Sequence, residues 1–332
     1  MTRATVTLQR ATTGRDERAE MAAEVRDGML GTPLPSIPSK FFYDGRGSAL
    51  FEEITRLPEY YQTRTEEKIL ESIAGQVVAR VRPSELVELG SGASRKVRIL
   101  LDAMAAARRL DGCVLFDINE ADVRESASRL AAAYPGIEIR GIVGDFTAEL
   151  AALGPGGGRL LAFLGSTIGN LHPREVPPLL RRVAAVLEPG DGFLLGLDLV
   201  KDVERLEAAY DDAAGVTARF NRNILLVLND RLGADFDPAA FDHVAFYDRE
   251  NAWIEMRLRA NRAVRARVPA AGLDVRFDPG DEIRTEISCK YTRASLEGML
   301  QGTCLRLEAW FTDPEDLFAV ALLARAAAGG GA

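Results

Sequence analysis

A rhythm of short apolar runs constrains this chain more than any other feature of its sequence. The runs recur at 86–89, 113–116, 137–143, 160–165 and 193–199, each separated from the next by a stretch long enough for a helix. Strand, helix, strand units repeated in this way predict a parallel sheet wrapped by helices. The intervening segments fit that reading. In SRKVRILLDAMAAARRL, Val97, Leu100, Leu101 and Met104 share one helical face, with Ser94 placed as N-cap. HPREVPPLLRRVAAVLEPGD predicts a helix entered near Pro173 and closed by Pro189-Gly190. Near the carboxyl end, TRASLEGMLQG predicts a helix, and CLRLEAWF and LFAVALLAR predict two strands joined across TDPED, so an antiparallel pair should close the sheet.

Residues 201–289 break the rhythm. DVERLEAAYDDAAGVTARFNRNILLVLNDRL has one long helical pattern, and WIEMRLRANRAVRARV alternates as strands do. A chain of 332 residues exceeds what one hydrophobic core commonly holds, so an inserted second domain is expected. Helical segments and an aromatic cluster in 15–63 suit packing on that insert. The expected division is a sheet domain over 64–200 and 290–326, a second domain over 15–63 and 201–289, and disordered tails at 1–14 and 327–332, the last ending AAAGGGA.

Composition removes several function classes. A formal net charge of −8 with no long Lys/Arg run offers no field for gathering phosphates, so nucleic acid is not an expected partner. No apolar stretch approaches the ~20 residues that cross a bilayer, and the first residues lack the apolar block of a secretory signal. A cytoplasmic location and no membrane partner are expected. Cys113, Cys289 and Cys304 are too scattered for a disulfide framework or a zinc site and read as small buried residues; His172 and His243 are the only histidines, too few for a His-rich metal centre. No metal is expected.

The sites that could carry chemistry lie at the strand ends. The run LVEL enters Gly90-Ser91-Gly92, a tight turn that delivers backbone N–H groups to a ligand at the carboxyl edge of the sheet. The dinucleotide fingerprint requires a third glycine where this chain has Arg95, which disfavours a nicotinamide cofactor against an adenosyl one. Glu88 and Asp117 end the first two strands, where a carboxylate can accept ribose hydroxyls. Asp145 ends the third, where it could accept an adenine amino group while Phe146 packs on the ring. Gly165-Ser166-Thr167-Ile168-Gly169-Asn170 follows the fourth, at the position where substrate would face cofactor.

Together, FFYDGRGSALFEEITRLPEYYQTRTEEKIL, VELGSGASRKVRILLDAM, FLGSTIGNL, LLGLDLVKD, YDDAAGVTARFNRNIL and TEISCKY resemble the histidine-specific Nα-methyltransferases of ergothioneine biosynthesis, over roughly residues 20 to 325. The resemblance implies an α/β fold: a Rossmann-like class I methyltransferase with a mostly parallel sheet and a terminal antiparallel strand, plus an inserted α+β substrate-binding domain. It implies S-adenosylmethionine as cofactor, lined by Tyr60, Gly90, Lys96, Asp117, Asp145 and Phe146, to which the strand-end reading adds Glu88 and Gly92. It implies that Tyr43, Gly165 and Asn170 are catalytic. These three would also bind substrate, together with Tyr210, Phe220, Met256, Glu286 and Ser288. In that carry-over Asn170 and Tyr210 hold the α-carboxylate and Glu286 and Ser288 the imidazole. Tyr43 and Gly165 border the amine, and Phe220 closes the pocket.

The implied reaction is trimethylation of the α-amino group of L-histidine to hercynine by a monomeric enzyme. Two alternatives stay open on the sequence: a methyltransferase of this fold acting on another amino acid or amine, and a non-catalytic protein that binds an adenosyl ligand.

Overall fold

A computed structural model describes residues 4–12, 16–90 and 95–326. Along the chain the strands are β1 (Thr5–Arg10), β2 (Glu85–Leu89), β3 (Gly112–Asp117), β4 (Glu138–Val143), β5 (Arg159–Phe163), β6 (Gly192–Asp198) and β7 (Phe241–Asp248). They continue with β8 (Trp253–Ala260), β9 (Val264–Val268), β10 (Leu273–Phe277), β11 (Glu282–Cys289), β12 (Leu305–Thr312) and β13 (Phe318–Arg325). The helices are α1 (Glu17–Met29), α2 (Gly45–Ile54), α3 (Gln62–Val81), α4 (Arg95–Ala106), α5 (Glu120–Ala133), α6 (Phe146–Glu149), α7 (Val176–Val186), α8 (Val203–Ala208), α9 (Val216–Leu232) and α10 (Arg293–Leu300). The chain divides into two compact units, one of Met1–Thr13, Gln62–Val200 and Lys290–Ala332, the other of Gly14–Tyr61 and Lys201–Cys289.

The first unit is built on an eight-stranded sheet ordered β1-β4-β3-β2-β5-β6-β13-β12. Strands β1 to β6 run parallel, β13 is antiparallel to β6, and β12 is antiparallel to β13. All five apolar runs are strands, because an interior parallel strand covered on both faces must be apolar at nearly every position. Leu86, Leu115, Leu160 and Leu194 from the strands join Val97, Leu100, Leu101 and Met104 from α4 in one buried cluster. The strand order turns back between β2 and β5. In a doubly wound sheet this reversal opens a crevice at the carboxyl ends of those strands. With the closing antiparallel pair this is the class I methyltransferase fold.

The amino-terminal tail departs from expectation. Residues 5–10 are a strand, paired in parallel with β4 from Thr5↔Glu138 to Arg10↔Val143. An uncovered edge of β4 would leave a row of backbone groups without partners, and a short alternating segment suffices to cover it. The cap expected at Ser94 and the tail expected at 327–332 lie outside the described residues. Helix α7 begins at Val176, with Pro in its first turn. Cys113 and Cys289 are buried but Cys304 is exposed, in a turn at φ +61° that holds it out of any core.

The second unit has a three-stranded antiparallel sheet ordered β11-β8-β7 and the separate pair β9–β10. Helix α9 packs against α2, β7 and β8. The helical pattern expected to run unbroken through 202–232 is two helices. Asp212 interrupts it, its carboxylate accepting the N–H groups of Val216 at 2.8 Å and Thr217 at 2.7 Å, and Gly215 turns at φ +67°. A short acidic side chain that satisfies helix-start donors competes with continuation of the preceding helix. Burial alone would raise the Asp212 carboxyl, but the Thr217 and Val216 donors hold it below the usual range. Among the described residues no helix is long and apolar enough to cross a membrane.

Candidate active site

In the first unit the carboxyl ends of β2, β3, β4 and β5 carry the expected residues side by side. Gly90 turns out of β2 at φ +74° and donates its N–H to the Phe116 carbonyl at 2.8 Å. A side chain at Gly90 would rest 3.8 Å from the Phe146 ring, so that ring lies beside the turn. Phe146 itself packs edge-on to Phe163 and Phe116, with centroids 5.2 and 6.4 Å away. Glu88 is buried within β2. Asp117 ends β3, one oxygen accepting the Asn119 N–H at 2.9 Å. Asp145 caps α6, accepting the N–H of Thr147 at 2.9 Å and its hydroxyl at 2.5 Å. Carboxylates at adjacent strand ends, with a ring beside a glycine turn, are the acceptors and apolar face that a nucleoside needs. Gly92 lies outside the described residues.

Beneath the next turn lies a group that pattern reading missed. Glu66 of α3 is fully buried and accepts the Gly165 N–H with both oxygens, at 2.9 and 2.8 Å, while Lys96 Nζ lies 2.5 Å from Oε2. A Cβ at Gly196 would come within 2.0 Å of the Glu66 carboxylate, so β6 needs glycine there. Gly165 sits at φ +76° and Ser166, in the left-handed region at φ +55°, accepts the Asp198 N–H through its Oγ at 2.9 Å. Asp198 in turn pairs with Lys290 at 2.9 Å, both wholly buried. Asn170, half-buried, ends the short 3-10 turn that follows. Thus Lys96, expected against cofactor, also pairs with the acid that holds Gly165. One signal could have revealed Glu66: it lies three and four residues before Ile69 and Leu70, an acid on the apolar stripe of α3. Glu66→Ala should lower methyl transfer by about tenfold, because it strips a charge-assisted acceptor from a buried N–H. Glu66→Gln, which keeps one acceptor, should lose less; single-turnover rates compare the two.

The second unit gathers the remaining expected residues. Tyr43, Phe51, Phe220 and Phe42 form one aromatic cluster, with Phe42 stacked on Phe220 at 4.5 Å and Tyr43 edge-on to Phe51 and Phe220 at 5.7 and 5.8 Å. Tyr60 belongs to this unit and continues the cluster through Phe51 at 6.0 Å and Tyr210 at 6.5 Å. The Tyr210 hydroxyl hydrogen-bonds Ser288 Oγ at 2.7 Å. Glu286 and Ser288 share one face of β11, and Glu286 lies directly across from Met256 of β8. All three are buried. A buried carboxylate can select a ligand that brings an N–H to it.

The reversed sheet with its row of acidic strand ends belongs to an S-adenosylmethionine-dependent methyltransferase. The profile of the histidine-specific, SAM-dependent methyltransferases matches residues 21–325, and the chain belongs to that family. It is 48% identical over 311 residues to the histidine N-alpha-methyltransferase of Mycolicibacterium smegmatis, covering 93% of this chain and 97% of that protein. It is 46% identical to the histidine N-alpha-methyltransferase of Mycobacterium tuberculosis, covering 91% and 94%. Ergothioneine biosynthesis protein 1 of Schizosaccharomyces pombe is 33% identical over 230 residues, 64% of this chain and 29% of that much longer protein.

Proposed function

We propose that this chain trimethylates the α-amino group of L-histidine to hercynine, the first step of ergothioneine biosynthesis. The observation that carries the reading is the buried acid Glu286, beside the Tyr210–Ser288 hydroxyl pair and opposite Met256, in a chain that shares 48% identity with a histidine N-alpha-methyltransferase. An imidazole N–H is the donor such a carboxylate accepts strongly. An aliphatic side chain offers no such donor, and the hydrogen bond it fails to make to a buried charged group is worth about 1.5–3 kcal/mol.

In this reading Asp117 and Glu88 take the ribose hydroxyls, Asp145 the adenine amino group, Phe146 the face of the base, and Gly90 and Lys96 the rest of the cofactor, with Tyr60 as a further contact. The glycine turn beside the Phe146 ring supports it. When bound, S-adenosylmethionine supplies a methyl group whose bond to the sulfonium sulfur breaks as a bond to nitrogen forms, leaving a neutral thioether. Glu286 and Ser288 hold the imidazole, and Tyr210 and Asn170 the α-carboxylate. Alignment of this kind contributes much of the rate in a displacement whose leaving group is already activated. An α-amine of ordinary pKa, about 7.7–8.0, is mostly protonated near neutrality. Its proton must therefore leave before attack, through Tyr43 or a water to bulk solvent, with Gly165 bordering the amine. Phe220 and the rings around it exclude water.

Incubating the protein with histidine and S-adenosylmethionine and following the mass of the amino acid tests the reading. A trimethylated product is expected. Methylation of a different amino acid alone would replace the substrate, and cofactor binding with no turnover on any amine would make the chain a binding protein.

A further inference from the structure

Four of the residues assigned to histidine, Tyr210, Met256, Glu286 and Ser288, adjoin a buried polar chain that the reaction itself does not use. His243 of β7 has a side chain 2% exposed, and Asn221 of α9 and Thr285 of β11 are 0% and 1% exposed. Asn221 Nδ2 donates to the Arg257 carbonyl at 3.0 Å and lies 2.8 Å from His243 Nδ1. A carbonyl can only accept, so the amide nitrogen must face Arg257 and the amide oxygen must face away. That oxygen receives the Thr285 hydroxyl at 2.6 Å. Both Asn221 protons are then in use, Nδ1 of His243 accepts one of them, and the ring proton sits on Nε2, donated to the Tyr210 carbonyl at 2.8 Å. The hydroxyl of Thr285 also lies 3.1 Å from the Met256 carbonyl.

The far end of this chain falls on a register break. Strands β8 and β11 pair regularly up to Arg284↔Arg257 and resume at Glu286↔Met256, leaving Thr285 as the extra residue of a β-bulge. A one-residue shift in a strand exchanges its two faces, and bulges re-aim the side chains that follow them. The bulge therefore decides which face Glu286 and Ser288 present. At the near end the accepted proton fixes the Tyr210 backbone, whose hydroxyl meets Ser288. Burial pushes the His243 imidazole below its ordinary range, against the pull of the Tyr210 carbonyl and of Asp211 and Asp212, with Arg222 acting in the same direction as burial. The neutral ring is the form that can accept from Asn221 and donate to Tyr210 at once.

We infer that His243, Asn221 and Thr285 form a positioning relay that locks the Thr285 bulge and the Tyr210 backbone together, so that Glu286, Ser288, Met256 and the Tyr210 hydroxyl meet the acceptor amino acid as one rigid set. The inference rests on histidine being that acceptor. It makes the three residues determinants of histidine affinity without contact with histidine.

Thr285→Val keeps the shape of the side chain and removes its hydroxyl, whereas Thr285→Ser keeps the hydroxyl. In the full-length enzyme Thr285→Val should raise KM for histidine about five- to tenfold. Its kcat and its affinity for S-adenosylhomocysteine, read by calorimetry, should stay within about twofold. Thr285→Ser should restore KM. Should the valine variant not fold, His243→Gln, whose amide N–H can still reach the Tyr210 carbonyl while its oxygen no longer sits where Nδ1 accepts from Asn221, carries the same test. Unchanged histidine KM, or equal losses of histidine and cofactor affinity, would overturn the relay while leaving the proposed reaction standing. A wild-type chain that neither binds nor methylates histidine would remove both.

Discussion

Lys290→Met should lower the free energy of unfolding by about 3–5 kcal/mol, the usual cost of stranding one member of a buried ion pair. Lys290 and Asp198 meet at 2.9 Å with neither side chain exposed, and Gln62 Nε2 approaches the same carboxylate oxygen at 3.5 Å. Without the ammonium group the carboxylate must stay charged in an apolar interior or take up a proton, and both are unfavourable. The consequence extends to the turn after β5, since the Asp198 N–H is bound by Ser166 Oγ. Urea unfolding followed by circular dichroism measures the loss. The double variant Asp198→Asn, Lys290→Met removes both charges and should recover more than half of it. A single variant as stable as the parent would show that the pair is not the buried anchor described above.

Glu286→Ala should raise KM for histidine by about 10- to 100-fold, because a buried hydrogen bond to a charged group contributes about 1.5–3 kcal/mol and each 1.4 kcal/mol is a factor of ten. Affinity for S-adenosylhomocysteine should be unchanged, since the groups assigned to the cofactor are other residues. The preference for histidine over amino acids lacking a ring N–H should shrink by a similar factor, as the penalty that rejects them disappears with the carboxylate. Glu286→Gln retains an acceptor of the same shape and should fall between the two. Competition assays with paired amino acids read the preference directly. A Glu286→Ala enzyme that still strongly favoured histidine would refute the role assigned to this acid.

Both experiments probe groups whose significance differs in how much of it is visible along the chain. Glu286 and Ser288 alternate on one strand, and a two-residue spacing already places them on a common face. Asp117 and Asp145 close apolar runs, and a run that ends in an acid before a helix is legible as a strand end. By contrast Lys290 reads as an ordinary charge after a strand, and Asp198 as one more acid. Thr285 shows nothing locally of the bulge it forms, because a bulge is a relation between two strands. The two helices α8 and α9 were hidden inside one apolar period, since the capping action of Asp212 depends on where its side chain turns. The strand at Thr5–Arg10 was equally hidden, its short polar-apolar alternation having meaning only beside the open edge of β4.

Local pattern was therefore sufficient for the alternation of strands and helices from β2 to β6, for the closing antiparallel pair and for the strand ends at which a nucleoside could bind, because hydrophobic period and turn chemistry act over a few residues. Tertiary structure alone decided the groups that hold the site in shape. Glu66 meets Gly165 across 99 residues, Tyr210 meets Ser288 across 78, and Thr285 meets Asn221 across 64. A buried polar atom is satisfied by whatever the fold brings to it, and no periodicity in the chain records that partner.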